Sequence, residues 1–349
     1  MKRITSAVTA LVLTLLGLSS CDNTLNVNAP WVETPVLYGI LDPKQDTHYV
    51  RIGRAYLGQE GAEGGMQSPD SLYYPNLTVV LEELNAITGA VKATHSLSEA
   101  TYVTLNPGDF TPLGYKVYQW IGSLNENSLY RVKAFKPGVT TALVSATTPL
   151  IYSSKFILRE PSPIGGATIR MALASRSGQK VRWDQPKNGR LYQGFMRFHY
   201  MEMPVGKQSD STLHFVDYPL STITGSTMNG GTDIGTTIGF TDFYPWLAAT
   251  LPSAEGKLRW FRTIDLYINV ASDDLATYIS VTQPSNTIVQ DKPFFTNVSG
   301  GAGIFGSRSH FWRKNLNISA NSLDSLVFSR KTCTLRFAKA SVLDTLTCN

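Results

Sequence analysis

Five histidines, a modest set of carboxylates, one glycine cluster and three cysteines are the groups in this 349-residue chain with the most obvious chemical potential. His199 and Glu202 form an HxxE pair, a spacing that puts two ligands on one face of a helix. The residues around them alternate instead, with Met196, Phe198 and Tyr200 pointing one way and Arg197 and His199 the other. On a strand, residues three apart face opposite ways, so the pair does not read as a metal site. His48, His95, His214 and His310 are scattered and form no ligand-spaced cluster. Asp273 and Asp274 are neighbours, and adjacent helical residues do not face each other as an acid and base would. Behind Ser272 they suit the first turn of a helix, where carboxylates complement the dipole. No GxSxG nucleophile elbow occurs, and no cysteine is placed as a nucleophile. Two carboxylates gathered from distant strands, as a glycosidase needs, stay open. So does a sugar-binding face, given that 11% of residues are aromatic.

Gly301-Ala302-Gly303-Ile304-Phe305-Gly306 is literally GxGxxG. A dinucleotide site needs a strand before this motif and a helix after it. Here Phe311-Trp312-Arg313 follows in a β-like context. The glycines are therefore expected to let a loop turn sharply and pack closely at a strand end, and no cofactor is expected.

The cysteines point to export. Lys2 and Arg3 precede an apolar run from Ala7 to Leu18, too short to span a bilayer comfortably. This reads as a secretory signal over residues 1–20. Leu18-Ser19-Ser20-Cys21 matches the lipobox of bacterial lipoproteins, so Cys21 is expected to be acylated and to anchor the chain to a membrane. Cys333 and Cys348 then remain as an even pair in an oxidising compartment, where a disulfide is expected. In the chain-entropy model a short loop of this kind gains about 3 kcal/mol. Neither cysteine has a CxxC partner, which disfavours zinc. The net charge of +5 falls to +3 once Lys2 and Arg3 are removed, and the basic residues form no run, so nucleic acid is not an expected partner.

The elements that must position these groups read as mostly β. Residues 21–30 are a polar tether. Pro35 to Leu41, Tyr49 to Tyr56, Leu77 to Leu84, Tyr130 to Phe135 and Ala142 to Ala146 read as short strands separated by turns. They predict an immunoglobulin-like or fibronectin-like β-sandwich over residues 31–150. Residues 151–349 predict a second β-rich domain with one or two short helices. Its long strands are Leu191 to Met203 and Leu258 to Val270, the latter with Leu258, Trp260, Ile264, Leu266, Ile268 and Val270 on one face. The helices are a segment from Ser272 to about Thr282 and a shorter one from Phe243 to Ala249. Residues 58–75 and 209–241, rich in Gly, Ser and Thr, read as long surface loops and candidate contact surfaces.

The segment from Pro293 to Gly306 resembles the "TNI-x-GG-x-GIFG" signature of a Bacteroidetes lipoprotein family, domain of unknown function 4249. The matching positions are Thr296, Asn297, Gly300, Gly301, Gly303, Phe305 and Gly306. The lipobox, Val36 to Leu41, Tyr49 to Ile52 and Tyr130-Arg131-Val132 are also similar to that family. Ala302 stands where a larger residue is expected. The resemblance implies an outer-membrane lipoprotein, non-catalytic, acting as an envelope accessory beside a TonB-dependent receptor. Surface-exported members share an acidic run after the cysteine; here Asp22 is followed by Asn23, so a periplasmic or a surface face stays open. The alternative is an envelope glycan hydrolase, or a glycan-binding or adhesive lipoprotein.

Overall fold

The computed structural model describes residues 33–55, 72–102, 115–162, 168–172, 178–283 and 294–339. The expected signal, the tether, Cys21, Cys348 and most of the 58–75 segment lie outside the described residues. The fold is mostly β and sandwich-like.

Alternation builds the first sandwich. In β1 (Pro35–Leu41), Leu37 and Leu41 are buried while Tyr38 and Ile40 face outward. β2 (Thr47–Arg54) and β5 (Tyr115–Ile121) continue this sheet, and β3 (Thr78–Asn85), β6 (Ser128–Phe135) and β7 (Val144–Pro149) form the opposing one. β4 (Val91–Tyr102) joins the two layers. Its residues 91–97 pair with β3 and 98–102 pair with β5, so one strand turns the corner of the sandwich. Between the layers Leu37, Ile52 and Tyr118 meet Leu81, Tyr130 and Val132.

The second half follows as β8 (Ile157–Glu160), β9 (Thr168–Ile169), β10 (Gln179–Asp184), β11 (Leu191–Pro204), β12 (Thr212–Pro219), β13 (Ile223–Thr224) and β14 (Asp233–Ile238). Then come α1 (Phe240–Thr250), β15 (Lys257–Ala271), α2 (Asp273–Thr282), β16 (Ala302–Ile318) and α3 (Ala320–Phe328). Strands β12, β11, β15 and β16 are neighbours in that order. Their inner face, carrying Met196, Phe198, Ile264, Leu266 and Ile268, is covered by a small β14-β10-β8 sheet and by α1 and α3.

β16 makes the sheet continuous. Residues 302–307 run parallel to β1, and residues 308–316 run antiparallel to β15. Val298 and Phe305 thereby enter the first core, which draws on residues from both sides of position 150.

Several expectations need correcting. The 209–241 segment holds β12, β13 and β14, not one long loop. Edge strands keep much of their surface in water, so β12 exposes both polar residues and Leu213 and Phe215. The glycine cluster expected in a loop runs into strand: Gly303 and Gly306 lie within β16. A third helix, α3, joins the one or two foreseen, capped by Ser319, whose Oγ accepts from the Ser322 backbone N–H at 3.2 Å. Phe261, not Trp260, packs on the second core, because a bulge opposite His199 and Tyr200 shifts the phase of β15.

The same bulge turns Arg259 inward, where it is 0% exposed. Its guanidinium donates to Glu202 at 3.0 Å and to the carbonyl oxygens of Pro252 at 2.9 Å and Leu335 at 3.4 Å. Its backbone bonds Arg336 and Ala338, which helps tie down the segment after α3. Burial pushes the Glu202 pKa up, but hydrogen bonds from Lys257 and Arg259 overcome this and hold it below the usual glutamate range. A depressed folded pKa gives stability that is present above the unfolded value and lost as pH falls through the folded one.

Two outcomes follow. Gly303 has φ +114°, and a Cβ there would overlap the carbonyl oxygen of Leu37. Gly303→Ala is expected to lower unfolding free energy by about 3 kcal/mol, read by urea titration. Glu202→Gln is expected to be less stable than the native protein at neutral pH and to lose less further stability on acidification through the glutamate range. Parallel acid limbs for the two proteins would contradict this.

Candidate functional site

Helix α2 lies across the outer face of the continuous sheet. Ser272 precedes it as expected, but its side chain does not cap the helix. Its Oγ accepts from the Ser307 N–H at 3.1 Å, and its own N–H bonds Ser307 O at 2.9 Å, which fastens the helix start to β16. The two carboxylates of the first turn have separate partners. Asp273 pairs with Arg190 at 3.2 Å, and Asp274 accepts from Asn297 at 2.9 Å. They are not assembled as an acid/base pair.

The signature residues hold this junction together. The Asn297 side chain bonds both the N–H (3.0 Å) and the carbonyl (2.8 Å) of Phe305 while also reaching Asp274. Thr296 Oγ1 donates to Gly303 O at 2.8 Å and accepts from Val298 N–H at 3.1 Å. Phe305 is fully buried in the first core. Gly300 and Gly301 pass close to the backbone of Leu143 and Pro35, and Gly306 sits under Leu275 of α2. These residues position strand and helix, Thr296 and Asn297 by side-chain hydrogen bonds, Phe305 by burial and the glycines by backbone proximity.

Between α2 and the sheet runs a groove of about 840 Å³. Tyr38 and Ile40 of β1 form one wall, with Tyr278 and Ile279 of α2 opposite; Leu191, Ala271 and Ile304 also line it. Tyr38 and Tyr278 meet edge to face at 6.4 Å. Burial and the neighbouring Tyr38 hydroxyl raise the Tyr278 phenol to about 12, so it stays protonated. The polar part of the lining includes Gln193, Asn269, Arg308 and His310. Asp42, whose side chain is 4% exposed, organises this end. It accepts from the Lys44 N–H at 3.0 Å, lies 3.3 Å from His310 Nδ1 and 3.5 Å from Arg308 Nε. Among the described residues, no hydroxyl or thiol hydrogen-bonds the other nitrogen of His310.

Farther along the same face the sheet carries aromatic rings and cations. Phe195 stacks on Tyr267 at 4.6 Å, and His310 stacks on Trp312 at 4.7 Å. Arg197 lies 4.1 Å from the Phe215 ring, and Lys44 and Lys314 flank Trp312.

The other singled-out residues lie apart. His199 Nε2 meets Asp265 at 3.0 Å on the outer face, while Glu202 bonds the buried Arg259, so the HxxE pair is split across the sheet. His48 and His95 stack on Trp120, and His214 stacks on Tyr200. Cys333 is buried beyond α3. Asp42, Arg308 and His310 were not singled out as a cluster in the sequence, because they come from segments more than 260 positions apart. The alternation of Tyr38 and Ile40 was the available signal for the apolar wall.

Asn297→Ala removes three hydrogen bonds at the junction of β16 and α2. A loss of about 2–3 kcal/mol is expected. Amide exchange across residues 273–282 should accelerate by more than the global change explains. Unchanged protection of α2 would refute the pinning role.

No protein-family model matches the chain, and no curated protein matches it. Among solved structures, one titled as a cytokine receptor complex is similar over 82% of this chain and 99% of its own, at 10% identity and TM-score 0.22. The C-terminal globular domain of an oligosaccharyltransferase from Pyrococcus abyssi is similar over 73% of this chain and 54% of its own, at 10% identity and TM-score 0.23. Likenesses of this size leave fold and function to be argued from the chain itself.

Proposed function

We propose that this protein is a lipid-anchored lipoprotein of the outer membrane that binds without catalysing, as an accessory to an outer-membrane receptor, with the groove beneath α2 as its binding site. The lipobox ending at Cys21 supports the anchor, and the resemblance to domain of unknown function 4249 supports the envelope setting and the receptor. The observation that carries binding over catalysis is the groove's lining. Its described residues are apolar, amide, hydroxyl or basic, and none is a carboxylate. Glycoside hydrolysis ordinarily needs two carboxyl groups facing across the cleft. The nearby Asp42 is shared among Lys44, His310 and Arg308, and Asp273 is paired with Arg190. A Cys333–Cys348 disulfide belongs to the same reading, since export places both cysteines in an oxidising compartment.

The test is a pull-down from envelopes in mild detergent, using tagged full-length protein that keeps Cys21. A β-barrel receptor is expected in fixed ratio, with recovery reduced at least tenfold by Ile279→Asp in the groove wall. Cys21→Ser is expected to move the protein from the detergent phase to the aqueous phase. A partner-free lipoprotein, or turnover of a glycan or peptide by the purified protein, would overturn the proposal.

A further inference from the structure

We infer that the groove beneath α2 takes a single-chain amphiphile, with its apolar body between Tyr38, Ile40, Tyr278 and Ile279 and its anionic head at Arg308. This rests on the groove being the binding site. Tyr38 and Ile40 are 41% and 40% exposed, large apolar side chains that the fold leaves uncovered on a sheet face. Ile279 lines the opposite wall, so an apolar chain has surface to bury on both sides. A volume of about 840 Å³ lies within the range of small-molecule sites.

Charge decides the head. The Arg308 side chain is 62% exposed, and its contact with Asp42 is long, at 3.5 Å. Asp42 is also engaged by the Lys44 N–H and His310. The Lys44 ammonium donates to the His310 carbonyl and lies over Trp312, adding a second cation beside the same end. Lys44 also feels the Glu126 carboxylate, and burial lowers its pKa, so the cation left open to the groove is the always-charged Arg308 guanidinium; no acidic residue lines the groove among the described residues. An anion offered to Arg308 gains a charge-assisted, bidentate partner, whereas a cation meets like charge. Gln193 and Asn269 supply neutral hydrogen bonds beside it.

The experiment compares two fluorescent dyes on the full-length protein: 1-anilinonaphthalene-8-sulfonate, which is apolar with an anionic head, and N-phenyl-1-naphthylamine, its neutral counterpart. Saturable binding of both is expected, tighter for the sulfonate by about tenfold, with displacement by dodecanoate. Arg308→Gln should weaken the sulfonate about tenfold and leave the neutral dye unchanged. Ile279→Asp should weaken both. Circular dichroism and cooperative unfolding verify that each variant is folded. Equal sulfonate affinity in Arg308→Gln would overturn the anionic head while the groove remains a binding site. If neither dye binds and a receptor is recovered with the native protein but lost with Ile279→Asp, the groove holds a protein segment and the amphiphile is refuted. If neither occurs, the binding-site reading fails with it.

Discussion

A single strand with two partners is the constraint on which the rest of the structure depends. β16 is 17 residues long, pairs parallel with β1 over its first part and antiparallel with β15 over the rest. A parallel pair cannot be closed by a tight turn and needs a long connection. Here the connection is residues 42–301, which carry the rest of the first sandwich as well as most of the second half. Because the strand must approach β1 at backbone distance, positions 301 and 303 tolerate no side chain against Pro35 and Leu37. Sterics at two glycines thus set the register that joins two cores into one sheet.

The groove is a consequence of that joining. Once β16 lies beside β1, the outward residues Tyr38 and Ile40 share a face with Asn269, Arg308 and His310. Asn297 and Ser272 then fix α2 above this face through bonds to Phe305 and Ser307. The helix buries Leu275 and Ala276 and leaves Tyr278 and Ile279 on the open side. The residues that resemble a family signature are therefore mostly the hinge-pins of the site, and Ile304 of the same segment lines it.

Buried charge is arranged on the same economy of partners. Arg259 is wholly inside but bonds a carboxylate and two carbonyls, which is how a charged side chain is tolerated in a core. Asp42 plays the corresponding part at the groove's polar end, where it serves a backbone N–H, a histidine and an arginine at once.

Periodicity alone marked the strands with one wet face: β2, β6, β11 and most of β15 alternate in sequence as they alternate in burial. The same rule separated His199 from Glu202, and local chemistry placed α2 behind Ser272. Edge strands β12 and β14 were not legible, because strands solvated along much of their surface carry little hydrophobic signal. The bulge that exchanges Trp260 for Phe261 was not legible either, since it is set by the pairing of β15 with β11. The sequence by itself determined the β class, the inward and outward sets along single strands, and the backbone freedom of its glycines, all of which depend on near neighbours. The tertiary structure alone decided that β16 would pair with β1 and that Asp42 would meet His310. Both unite residues more than 200 positions apart, and contacts at that separation are written in no local pattern.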